Sequence, residues 1–296
     1  MSDLPTLGQP VLLFAEECEH PAHRKESEVS VLHVRLALAD MMLVADGGGE
    51  NAGGAAASRM VVEYFYSHLA GLPADYPVDN AIHEAAVRAN ASLIAAATPG
   101  SQLQGVRVSM VVALLQQEGD ITYAWVSHIG DSRAYLHRAG RLHRLTVDHT
   151  AVQEMLDRKM ITPLEALHHP DAAVLTRSLG QQLAVEVEIE QVPLAVGDTL
   201  LLCSGSLWRS VPEKDIQEAA GSATADSAVR NLLELALAAS GGDSVGIEMA
   251  RMIPPPEARR QRRRSDDNRL PIGLGVILTV FLLALCGVVA LLWYLM

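Results

Sequence analysis

Between Val108 and Leu145, four strand-length runs follow one another with almost nothing between them. These are Val108–Leu115, Ile121–His128, Ser132–His137 and Arg141–Leu145, and the turn sequences Gln-Glu-Gly-Asp, Gly-Asp and Arg-Ala-Gly separate them. Connections this short join antiparallel neighbours, because a parallel pair needs a crossover of a dozen or more residues. Val185, Val187 and Ile189 alternate with Glu186, Glu188 and Glu190, the period of a half-buried strand. Leu200–Cys203 and Val245–Met252 read as two further strands. Helical patterns cover Ser58–Leu69, Asn80–Ala97, Ala151–Lys159 and Ser227–Ala239, the last closed by Gly241. A further helix starts at Thr162, where Thr-Pro-Leu-Glu supplies an N-cap, a first-turn proline and Glu165 as the partner in a capping box. Hairpin-linked strands with helices at intervals predict an α+β fold built on antiparallel sheets. No internal repeat is present.

The C-terminal segment obeys different physics. From Leu270 to Met296 there is no charged residue, and Ile272–Met296 would span about 37 Å as a helix, enough to cross a bilayer with some tilt. Arg259, Arg260, Arg262, Arg263, Arg264 and Arg269 precede it, opposed only by Glu257, Asp266 and Asp267. Such an excess marks the cytoplasmic flank and suits contact with anionic lipid through Arg259–Arg269. The expectation is a single-pass membrane protein, tail-anchored, with its N-terminal body in the cytoplasm. Setting aside those six arginines and three acids, the 23 basic and 35 acidic residues of the chain become 17 and 32, a net charge of −15. A body that acidic excludes nucleic acid as a partner. The three cysteines, Cys18, Cys203 and Cys286, form no disulfide framework, and the N-terminal residues lack the basic and apolar regions of a signal peptide.

Residues 43–60, LVADGGGENAGGAAASRM, combine a strand ending at Asp46, a glycine-rich turn and a helix start made of small residues. A carboxylate at a strand end, beside backbone that side chains do not obstruct, presents oxygen to a hard divalent cation. Asp-Gly after a strand is also the make-up of a plain turn. Hydrolysis of a phosphate monoester needs an activated water and positive charge on the phosphoryl oxygens, which carboxylates from separate strands can provide by gathering divalent ions. The eleven histidines, His20, His23, His168 and His169 among them, match no tetrahedral ligand spacing. Ser204 and Ser206 lack the Gly-x-Ser-x-Gly setting of a nucleophile elbow. Cys203 at a strand end and Trp208 read as core.

In order along the chain, residues 43–60 are followed by GDSRAYLHRAGRLHRLTVDH at 130–149, VLTRSLG at 174–180, GDTLLLCSGSLW at 197–208 and GGDSVGI at 241–247. This ordered set resembles the metal-dependent Ser/Thr protein phosphatases (the PPM family, type 2C) over about residues 11–252. The resemblance implies a sandwich of two antiparallel β-sheets flanked by α-helices, with Mn²⁺ or Mg²⁺ as cofactor and phosphorylated Ser/Thr proteins as partners. It makes Asp46 the central aspartate shared by two ions and Gly47 a carbonyl ligand. Asp243 becomes the last metal aspartate, and Asp131 a ligand at an additional, weaker position. Asp46 and Asp243 are thereby the residues on which catalysis turns. The segment HRKESEV at 23–29 more weakly resembles the stretch that carries the phosphate-binding arginine, here Arg24, and a metal-binding glutamate, here Glu28.

Two positions depart from the pattern. Val29 stands where a Glu-Asp pair ends in aspartate, and Ser204-Gly205-Ser206-Leu207-Trp208 replaces Ser-Asp-Gly-Leu-Trp, so Gly205 stands where the first ion expects a carboxylate. Water can fill an empty coordination place, with weaker binding. Three readings stay open on these residues: a phosphatase working with a reduced ligand set, a pseudophosphatase that binds or regulates phosphoproteins, and an acidic anchored domain without a phosphate role. The expected organisation is a phosphatase-like domain at 1–252, a Pro- and Arg-rich linker at 253–270 and a transmembrane helix at 271–296.

Overall fold

The computed structural model describes residues 10–20, 26–49, 53–166, 169–222, 224–239 and 241–255. The predicted linker beyond Pro255 and the predicted membrane span lie outside these residues. Among the described residues no helix is long and apolar enough to cross a membrane.

The compact unit runs from Leu12 to Ile253. Its strands are β1 (Val11–Glu19), β2 (Val29–Arg35), β3 (Asp40–Gly48), β4 (Arg107–Glu118), β5 (Ile121–Ile129), β6 (Arg133–Arg138), β7 (Arg141–Arg144), β8 (Ile189–Leu194), β9 (Thr199–Cys203) and β10 (Val245–Ile253). Its helices are α1 (Gly54–Ala70), α2 (Val78–Ala96), α3 (Ala151–Asp157), α4 (Pro163–Ala166), α5 (Gly205–Ser210), α6 (Glu213–Ala220) and α7 (Ala225–Ala239). The strands form two five-stranded sheets, ordered β2-β3-β4-β5-β8 and β1-β10-β9-β6-β7. The pairings β2–β3, β3–β4, β4–β5, β5–β8, β6–β7, β6–β9 and β9–β10 are antiparallel. The sandwich of antiparallel sheets with flanking helices follows the sequence reading.

Side-chain alternation builds the layers. On β3, Met41, Leu43 and Ala45 pack with α1 and α2 residues such as Phe65 and Ile82, whereas Met42 and Val44 join the core between the sheets. On β9, Leu200 and Leu202 face the other sheet, while Leu201 and Cys203 pack beneath α7. Three apolar layers result, one between the sheets and one under each set of helices. The capping box is present, since Glu165 Oε2 accepts hydrogen bonds from Thr162 N at 2.8 Å and Thr162 Oγ1 at 2.9 Å.

One strand prediction needs correction. The Val185–Glu190 alternation yields strand only from Ile189, because β8 pairs with β5 from Leu194 opposite Thr122 to Ile189 opposite Ser127. β5 itself ends at Ile129. Val185 and Val187, without a partner strand, pack instead beside the helix-side core. β1, β2, α5 and α6 add to the elements predicted from sequence. Pro212 before α6 and Gly221 after it are boundary signals that mark that helix.

Candidate metal centre at the mouth of the sandwich

Asp46 continues the Met42–Val44 row, so it stands at the open end of the inter-sheet layer. In register beside it are Val29 on β2 and Ser109 on β4. Val29 is buried and fills space that Gly246 leaves on β10, where a Cβ would come 3.0 Å from Val31 Cγ1 and closer still to Val29 Cγ1. A valine therefore closes the layer where the family pattern expects an aspartate.

Backbone contacts set Gly47. Its N–H donates to the Glu28 carbonyl at 2.9 Å. A Cβ on Gly47 would overlap the Gly54 carbonyl oxygen and lie 2.7 Å from its carbon. The start of α1 thus rests directly on the end of β3, an approach that only glycine permits. Glu28 is further held by Ser244, whose Oγ accepts from Glu28 N at 3.2 Å.

Asp131 is fixed from β4. Ser109 Oγ accepts from the N–H groups of Asp131 at 3.0 Å and Ser132 at 2.8 Å. Gly130 has φ +98°, and a Cβ there would meet Ser109 Oγ at 2.6 Å, so the Gly-Asp turn requires its glycine. Arg133, two residues after Asp131, turns away to bind Asp148 through two nitrogens, with Nε to Oδ1 at 2.8 Å and Nη2 to Oδ2 at 2.5 Å. Arg133 also lies 3.4 Å from the Trp208 ring centroid. Trp208 Nε1 donates to the Asp131 carbonyl at 2.8 Å, so this residue braces the site as well as the core. Ser206 Oγ donates to the Ser244 carbonyl at 2.6 Å and also bonds Ser204 Oγ, which engages both hydroxyls structurally. Cys203 is fully buried, and burial pushes its thiol up to about 12, the inert setting expected of it.

Glu28, Asp46, Gly47, Asp131 and Asp243, all five proposed metal-site residues, line one pocket of about 420 Å³. Arg107, Ser109 and Arg209 line it too, and none of the three was singled out from sequence. Arg24, the expected phosphate binder, lies outside the described residues. Burial, then the Asp131, Asp243 and Glu28 carboxylates, drive Asp46 up to about 7, with Arg209 alone among the named neighbours pulling it down.

The donors fit a hard divalent ion in kind, since they are carboxylates plus the Gly47 carbonyl. They fall short in number. Gly205 supplies no side-chain carboxylate, and Asp131 Oδ2 already accepts from Arg209 Nη1. Among the described residues no group of three His, Cys, Asp or Glu side chains is gathered closely enough to hold an ion as it stands.

The protein phosphatase 2C family model matches residues 30–205. The serine/threonine protein phosphatase PstP of Mycobacterium tuberculosis is 34% identical over 249 residues, 82% of this chain but 45% of that protein. The serine/threonine phosphatase stp of Listeria monocytogenes is 32% identical over 181 residues, 60% of this chain and 70% of its own. The chain thus spans about half the length of the mycobacterial relative it matches. Among solved structures, M. tuberculosis PstP superposes with a TM-score of 0.73 at 30% identity, covering 82% of this chain and 99% of that one. A PstP catalytic domain in complex with two manganese ions gives 0.72 at 28% identity, covering 83% and 100%. With its two helix-flanked antiparallel sheets and the carboxylates gathered at their mouth, the chain belongs to the protein phosphatase 2C family.

Proposed function

We propose that the domain is a phosphoserine and phosphothreonine phosphatase that works with a reduced ligand set and is held at a membrane by residues 271–296. The observation that carries this reading is the convergence of Glu28, Asp46, Gly47, Asp131 and Asp243 on one pocket that two arginines also line. Glu28, Asp46, Asp243 and the Gly47 carbonyl would hold Mn²⁺ or Mg²⁺, in line with the manganese-bound PstP domain. Such an ion, when bound, activates water and offsets the charge of a phosphate. The chain's own residues do the rest. Asp46 ligates as the carboxylate, and Glu28 is positioned by the Gly47 and Ser244 bonds. Arg107 presents a guanidinium suited to phosphoryl oxygens, a role that Arg24 shares in this reading.

Anchoring rests on the uncharged run Leu270–Met296 and the six arginines before it, which also place the domain on the cytoplasmic side and against anionic lipid. The domain boundaries of this reading are 1–252, 253–270 and 271–296. A second reading, a pseudophosphatase that binds phosphoproteins without turnover, is favoured by the pairing of Asp131 with Arg209 beside Gly205.

Hydrolysis of p-nitrophenyl phosphate and of phosphothreonine peptides under Mn²⁺ titration separates the two. The phosphatase reading expects Mn²⁺-dependent turnover that falls at least about 100-fold in Asp46→Asn, the loss that follows removal of a principal electrostatic group. No turnover by folded protein at any Mn²⁺ concentration would favour the second reading, which binding of phosphothreonine peptides by that protein would then test.

A further inference from the structure

Gly205 opens α5 and is buried. The space a side chain would take there is already filled. A Cβ at this position would overlap Arg209 Nη1 and lie 2.5 Å from Asp131 Oδ2 and 2.9 Å from Arg209 Cζ. Arg209 follows four residues later, which on a helix puts it on the same side, and long helical side chains lean back toward the N-terminus. Its guanidinium therefore reaches back over Gly205 and donates from Nη1 to Asp131 Oδ2. The two side chains are 26% and 6% exposed, and both line the pocket. Trp208 completes the frame: its Nε1 holds the Asp131 carbonyl, and its ring centroid lies 5.5 Å from Arg209 Cζ.

The electrostatics of the pocket explain what this guanidinium does. Four carboxylates share the site, and repulsion among them grows as each ionises. A guanidinium is charged at every accessible pH, cannot dissociate from the chain and bonds carboxylate oxygens through a planar fork. Glycine at 205 creates room for that group and at the same time deletes the carboxylate it would displace.

We propose that Arg209 is a resident cation of this pocket, filling the volume left by Gly205 and taking the charge-compensating place of a divalent ion at Asp131. The Glu28, Asp46 and Gly47 side is then left to a single exchangeable ion. This rests on the proposed function only in where that ion sits. Gly205 and Arg209 act as a coupled pair. An aspartate introduced at 205 alone would be neutralised by Arg209, and removal of Arg209 alone would free Asp131 without supplying the missing ligand.

The test is a double-mutant cycle on the full chain in detergent micelles, with Mn²⁺ binding read by titration calorimetry and thermal melts run with and without Mn²⁺. The wild type is expected to bind no more than one Mn²⁺. The double variant Gly205→Asp/Arg209→Ala is expected to bind one more than the wild type, and Gly205→Asp alone none more. Arg209→Met, which keeps apolar bulk against Trp208, should melt lower than wild type without metal and gain more from Mn²⁺. Two equivalents of Mn²⁺ in the wild type would overturn the proposal. So would equal Mn²⁺-induced shifts in wild type and Arg209→Met, or a folded double variant with the wild-type stoichiometry. The enzyme reading fails separately. Absent turnover with one ion in wild type and two in the double variant would keep the arginine's role and remove the phosphatase, and turnover with two ions in the wild type would do the reverse.

Discussion

Single residues divide here into those whose role follows from chemistry and those whose role follows from neighbours. Asp46, Asp131 and Asp243 were identifiable because a motif places a carboxylate beside glycine. Arg107 and Arg209 were not, since an arginine's reach cannot be read without knowing what it folds against. Glu248 is another such case. It lies on β10 at 1% exposure, on the same face as Ala250 and Met252 of the inter-sheet core. Burial first, and then the carboxylate of Glu16, push its own carboxyl well above the ordinary range. The sign follows from linkage. As pH rises past the ordinary glutamate value, the unfolded chain releases this proton while the folded chain keeps it, so stability falls with pH, by up to about 1.4 kcal/mol per unit until the folded group ionises. Glu248→Gln removes that loss. In metal-free buffer its melting temperature should match wild type near pH 4 and exceed it by a margin that widens toward pH 8. An advantage of constant size across that range would show that the carboxyl is ionised in the folded state.

At the scale of elements, local signals worked where periodicity and boundary chemistry agreed. The four runs at 108–145 became β4 to β7, and Thr162 with Glu165 became a closed capping box. The exception was 185–190, where the alternation was real but the pairing with β5 stops at Ile189 opposite Ser127. Helix α7 shows how packing divides a single pattern. Leu232 is fully buried under the second sheet, whereas Leu235 is 40% exposed. Leu232→Ala should cost about 2–5 kcal/mol of unfolding free energy in urea titration, because it opens a cavity in a layer that cannot collapse fully. Leu235→Ala should stay within about 0.5 kcal/mol of wild type. Similar losses from both would mean that α7 is held by something other than its buried face.

At the scale of the whole molecule, the proposed reading gives the body and the C-terminal segment different solvents. The body has three apolar layers of its own between Leu12 and Ile253. In the proposed reading, the uncharged run after Arg269 sits in a bilayer rather than a protein core. Deleting residues 270–296 should move the protein from the membrane pellet to the supernatant and leave the unfolding midpoint of the body unchanged, read by sedimentation and circular dichroism. Retention in the pellet would assign membrane attachment to the arginines or to the body. A midpoint shift of several degrees would make the segment part of the folded domain.

By itself the sequence determined the antiparallel α+β character and the carboxylate at the end of the Asp46 strand. These follow from side-chain period, turn length and residue chemistry, which act over a few neighbours. The two-sheet sandwich and the roles of Asp131 and Asp243 came from the resemblance of its ordered motifs to a family. Only the tertiary structure decided what stands around the carboxylates. Val29 closes the inter-sheet layer against Gly246, and Gly54 seats α1 on Gly47. Arg209, 78 residues beyond Asp131 in the chain, takes the room beside it that Gly205 leaves, a contact legible only in space. Charge and volume at a shared pocket are set by chains brought together from distant positions, and no local pattern encodes that sum.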